Sequence, residues 1–178
     1  MKRLTAEFLG TAFLLAGVVG SGVMAAKLAG GNGALALRRE VPPRLAGLYI
    51  GTQIIGGVAG VLVAHAMFEL PLWQVSLNVR TGPGQWLAEA VATFGLLLTI
   101  FGCAARTPAA IPYAVGLYIT AAYWFTASTS FANPAVTIAR ALTDTYAGIA
   151  PAGVLAFIAA QLAGALAATA LARWLFQK

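Results

Sequence analysis

A chain of 178 residues that is 60% hydrophobic and only 9% charged cannot keep its surface in water, since a soluble domain carries about 25% charged residues. A mean hydropathy of +0.84 makes lipid its main solvent. The net charge of +6 does not point to nucleic acid: the basic residues lie scattered at the ends of apolar stretches, where cytoplasmic flanks are expected to be basic.

Five stretches are long enough to span a hydrocarbon core: about 4–26, 44–68, 86–105, 111–131 and 150–172. Backbone groups in a bilayer must be satisfied within the chain, so the stretches predict an all-α membrane protein. The first follows Lys2 and Arg3 and ends at "VMAA", the outline of a signal peptide. Glu7 inside its apolar run argues against cleavage. "GGNG" at 30–33 is a turn signal, and no strand precedes it to make a phosphate loop. The second stretch holds Gln53 among the small residues Gly56, Gly57 and Gly60 and ends at His65, which reads as a membrane-boundary histidine. The third opens on Ala88-Glu89. It also holds Cys103, a sole cysteine that excludes an intramolecular disulfide and is expected to pack as a small apolar residue. Tyr118, Tyr123, Trp124 and Phe125 in the fourth are expected to face lipid or the interface. The fifth carries Gln161, Gly164 and Ala168, and small residues of this kind allow close helix crossings.

Between the fourth and fifth stretches lies "SFANPAVTIARAL", residues 130–142. Asn favours a helix N-cap and Pro the first turn, so a helix is predicted from Asn133 to about Leu142. Thr143, Asp144 and Thr145 then stop it. Such a helix rises only about 14 Å, roughly half of a hydrocarbon core. Arg140 is placed to reach extracellular headgroups or Asp144, four residues on.

The chain repeats itself. "AEFLGTAFLL" at 6–15 resembles "AEAVATFGLLL" at 88–98, and "GTQIIGGVAG" at 51–60 resembles "AAQLAGALAA" at 159–168. Internal repeats mark transporters and channels. One membrane domain over 1–178 is expected, with a shortened first repeat at 1–68 and a complete second at 84–178. Glu89 and Gln161 are 72 residues apart, but Glu7 and Gln53 only 46, so the first repeat is 26 residues short.

Charge agrees with a loss. Both ends are basic, and six spans would put Lys2, Arg3, Arg38, Arg39, Arg44, Arg106, Arg173 and Lys178 inside, leaving only Lys27, Arg80 and Arg140 of the 11 Lys and Arg outside. "GGNGALAL" at 30–37 then reads as the stump of a missing span, since it rises only about 12 Å.

The repeat, the two Ala-Glu openings and the Asn-Pro-Ala resemble the major intrinsic protein family, the aquaporins and aquaglyceroporins, over nearly the whole chain. "SFANPAVTIARALTDTYAGIAP" is most similar to the bacterial branch found beside arsenic-resistance genes. The resemblance implies a helical bundle, here with about five spanning helices and one re-entrant half-helix, in a multi-pass inner-membrane protein that forms a homotetramer. It implies pore residues Asn133, Pro134 and Ala135, and a narrow filter at Ala121, Ser130 and Val136. The family usually has Arg where Val136 stands. Such a filter suits small neutral solutes larger than water, glycerol-like polyols or arsenous acid among them. Glu7, Glu89, Gln53 and Gln161 are expected to be structural: the carboxylates should accept backbone N–H groups of re-entrant loops, although the loop of Glu7 is the absent one. Relative to the family, the second span and the first Asn-Pro-Ala are missing.

No Ser/His/Asp set, metal cluster or Walker-type loop occurs, so neither an enzyme nor a cofactor is expected. The partners expected are the lipid bilayer and small neutral solutes. Two rivals to a passive channel stand: a truncated, non-conducting membrane protein, either a degenerate copy or a partner of complete subunits, and a small proton-coupled exporter using Glu7 or Glu89. Matched repeat positions favour structural carboxylates over the exporter.

Overall fold

A computed structural model of the chain describes residues 43–176. The expectations for 4–26, for Glu7, for 30–37 and for the basic residues before Pro43 and at Lys178 lie outside them. Five α-helices follow in order: α1 Pro43–Met67, α2 Pro83–Arg106, α3 Ile111–Phe125, α4 Pro134–Arg140 and α5 Pro151–Phe176, with a short 3-10 turn at Pro108–Ala110. Each opens on a proline at its first or second position. There the missing N–H costs nothing and the fixed φ is already helical. No strand occurs among the described residues.

Among those residues, α2 and α5 are long and apolar enough to cross a membrane. They form the most extensive helix pair of the fold. Gly164 makes the approach possible: a Cβ there would stand 2.2 Å from the Ala90 carbonyl oxygen. The obstacle is backbone and cannot swing aside. Gly164→Val is therefore expected to lower the melting midpoint in detergent, at a cost of about 1–3 kcal/mol, while Gly84→Ala, with open space around it, leaves the midpoint unchanged. A Gly164→Val protein that melts with the parent would show that the pair tolerates separation. Gly57 faces α4 closely as well: a Cβ there would stand 3.0 Å from Ala139 Cβ.

The core sits where α2 and α3 meet. Ala92, Leu96, Ile111, Val115 and Ile119 are buried together with Ala132, and Cys103 and Val136 pack against them half-buried. A second cluster of Phe131, Ala141, Ile149 and Phe157 joins the segments around α4 to α5. Trp124 is 82% exposed and Phe125 also faces outward. Tyr118 instead turns inward and donates to the Ala92 carbonyl at 3.0 Å.

The stretch 111–131 does not continue as one helix. It stops at Phe125, and Thr126 takes an extended conformation with its hydroxyl on the Ala122 carbonyl at 2.7 Å. Thr129, Ser130 and Ala132 then have φ of 62°, 48° and 51°, the wrong hand for a helix. Composition alone overran the boundary because Ala127, Phe131 and Ala132 are apolar, whereas the hydroxyls of 126–130 compete for backbone groups. α3 has 15 residues, a rise of only about 22 Å.

Candidate functional site

The 126–132 segment leads into a seven-residue helix, α4, capped by Asn133. The Asn133 backbone is extended and its Oδ1 accepts from Ala135 N at 2.7 Å and Val136 N at 3.3 Å. Both partners are donors, which assigns the oxygen and leaves the amide NH2 free of the cap. The helix ends two residues before the predicted Leu142, in a turn at Ala141–Leu142. Of the three filter positions, Ala121 lies on an exposed face of α3, Val136 is half-buried against the α2–α3 core, and Ser130 is buried with its Oγ unpartnered.

Glu89 is fully buried on α2 and faces this segment. Its Oε1 accepts from Phe131 N at 2.8 Å, and its Oε2 from Ala132 N at 2.9 Å and from Gln161 Nε2 at 2.6 Å. The other proton of that Gln161 amide goes to Thr137 Oγ1 at 2.8 Å, and Thr137 in turn donates to the Asn133 carbonyl at 2.9 Å. One polar network thus joins α2, α5, α4 and the turn before the cap. Gln161 Oε1 has no partner in it. Gln53 stands outside the network, half-buried on α1. Thr137 carries little signal in the sequence, since a hydroxyl four residues after an N-cap is a common back-bonding position.

The segment between α1 and α2 covers the far end of α4. Its side chains alternate. Trp73, Val75, Leu77 and Val79 point outward, while Ser76 is buried and Asn78 and Arg80 are half-buried. Ser76 N donates to the Ala141 carbonyl at 2.9 Å, Leu77 N to Asp144 Oδ1 at 2.8 Å, and Ala150 N to the Asn78 carbonyl at 2.7 Å. His65, two residues before the end of α1, is buried. Its Nδ1 donates to the Leu72 carbonyl, which can only accept, at 2.9 Å, and its Nε2 pairs with the Thr143 hydroxyl at 2.8 Å.

Two guanidiniums share Phe131. Arg80 donates from Nε to the Gly148 carbonyl at 2.7 Å, from Nη1 to the Ser128 carbonyl at 3.1 Å and from Nη2 to the Tyr146 carbonyl at 2.6 Å, with its Cζ 5.3 Å from the Phe131 ring centre. Desolvation draws its pKa below the ordinary value, yet an arginine keeps its proton in proteins. Arg140 is buried over the same ring at 3.6 Å and donates to the Ala147 carbonyl and to Thr129 Oγ1. The alternatives read from its spacing, headgroups or Asp144, do not occur: Asp144 is taken by the Leu77 amide, and Phe131 offers the cation a ring face inside the fold.

No protein-family model matches the chain, and no solved structure matches it. It is 44% identical to the aquaglyceroporin AqpS of Rhizobium meliloti (strain 1021) over 211 residues, a match that takes in 99% of this chain and 91% of the relative. Those 211 positions exceed the 178 residues of the chain by 33, so the relative holds at least that many residues inside the matched stretch without a counterpart here.

Proposed function

The chain belongs to the aquaporin, or major intrinsic protein, family, and from that membership we propose that it is a passive channel for small neutral solutes. The observation that carries this reading is the cap at Asn133. With Oδ1 held by Ala135 N and Val136 N, the amide N–H groups are the part left to meet a passing hydroxyl. Ala121, Ser130 and Val136 form a wide, weakly polar filter in this reading. It suits glycerol-like polyols and arsenous acid better than strict passage of water.

The match to a protein named an aquaglyceroporin supports the same solute class. A multi-pass place in the inner membrane and a homotetramer with one pore in each subunit complete the proposal. Glu89 and Gln161 hold the re-entrant turn. The Glu89 carboxylate has both oxygens occupied by donors deep in the fold, which disfavours it as the proton carrier of an exporter. A second reading remains, a truncated, non-conducting member or an assembly partner of complete subunits. The 33 positions that the relative has in excess favour it.

Stopped-flow light scattering on proteoliposomes separates the two. A glycerol permeability above that of protein-free vesicles, indifferent to an imposed pH gradient, is expected for a channel. Permeability equal to that of protein-free vesicles leaves the assembly-partner reading.

A further inference from the structure

We propose that Arg80, on the segment between α1 and α2, provides the fixed positive charge and the hydrogen-bonding fork of the pore mouth, meeting neutral solutes and turning cations back. The inference rests on the channel reading. It begins from a lack: the proposed filter side chains Ala121, Ser130 and Val136 carry no charge. A barrier to cations on that side of Asn133 must come from elsewhere.

Arg80 is placed to supply it. Its Nη1 bonds the Ser128 carbonyl, two residues before Ser130 in the segment that leads down to Asn133. Nε and Nη2 fix the head to the 146–148 turn. These three bonds use three of the five guanidinium N–H groups, so each terminal nitrogen keeps one donor. The side chain is only half-buried, and those donors have a route to solvent. All three bonded partners are carbonyl oxygens, so the hydrogen bonds that hold Arg80 do not neutralise its charge. Arg140 adds a second cation on the same Phe131 ring. It is 3% exposed, however, and contributes field rather than contact.

A bland role competes with this one: Arg80 as a staple between two loops. Arg80→Gln and Arg80→Lys distinguish them, since lysine keeps the charge and loses the planar fork. The full chain is placed in proteoliposomes. Glycerol entry is followed by light scattering, and proton entry by an internal pH dye under a potassium diffusion potential. Arg80→Gln is expected to raise the proton leak about tenfold, as loss of a nearby unit charge in a partly desolvated site implies, with glycerol entry retained. Arg80→Lys is expected to keep the leak near that of the parent while weakening discrimination between glycerol and urea. Equal leaks in the parent and Arg80→Gln, with glycerol entry intact, overturn the proposal. So do equal leaks and equally lowered melting in both variants, the mark of a staple. Absence of glycerol entry in the parent itself would instead remove the channel reading beneath it.

Discussion

Glu89→Leu is expected to leave little folded protein, while Glu89→Gln retains much of it. The carboxylate accepts from Phe131 N, Ala132 N and Gln161 Nε2, all buried. Leucine fills much the same volume and accepts nothing. Each stranded donor costs about 1–3 kcal/mol, so three approach the whole stability of an ordinary domain, about 5–15 kcal/mol. Loss at Ala132 also loosens the residue beside the cap, which holds φ of 51° only because its neighbours over-determine it. Glutamine keeps one acceptor in the same place, but its NH2 confronts at least one donor. Its cost should fall between those of the parent and leucine. Membrane yield and melting in detergent measure the order. Equal yield and equal melting of the two variants would mean that the segment finds other partners, and the role assigned to Glu89 would fail.

The features that could be read in advance are those where polarity conflicts with the bilayer. A carboxylate at position 89 and an amide at 161 within apolar runs demand partners, and the demand alone predicts burial and hydrogen bonding. Asn133-Pro134 announces a helix start by local chemistry, and α4 begins there. The end of α3 was not legible, because its stop at Phe125 is set by backbone hand and hydroxyl bonding rather than by hydropathy. Charge alone says little about Arg80 and Arg140. Both count as polar flank residues in any tally of charge, and only the fold reveals that Phe131 and a set of loop carbonyls hold them. A signal did exist for Arg80. The alternation of Trp73, Val75, Leu77 and Val79 with Gln74, Ser76, Asn78 and Arg80 has the period of an extended segment with one inward polar side.

The largest functional effect is expected from lengthening the chain. Inserting a second span and a first Asn-Pro-Ala half-helix between Leu37 and Arg38 should raise uptake of small neutral solutes sharply, on the order of tenfold or more. Two terms drive it. A single half-helix places about half an elementary charge at its N-terminus; a second, facing the first, doubles the field where the pathway is narrowest. In the proposed reading the added span also closes the side of the pathway beside Asn133 that a shortened first repeat would leave to lipid or a neighbouring helix. A tenfold change in rate needs only about 1.4 kcal/mol off the barrier, and one helix terminus in a partly buried place contributes up to about 2 kcal/mol. The matched relative holds at least 33 more positions within the matched stretch, which sets the scale of such an insert. Uptake of glycerol and of arsenous acid is compared in proteoliposomes holding equal amounts of the parent and lengthened chains, with proton entry followed in parallel. If the parent already moves both solutes as fast as the lengthened chain while excluding protons, then a single half-helix suffices, and the argument from the shortened first repeat is wrong.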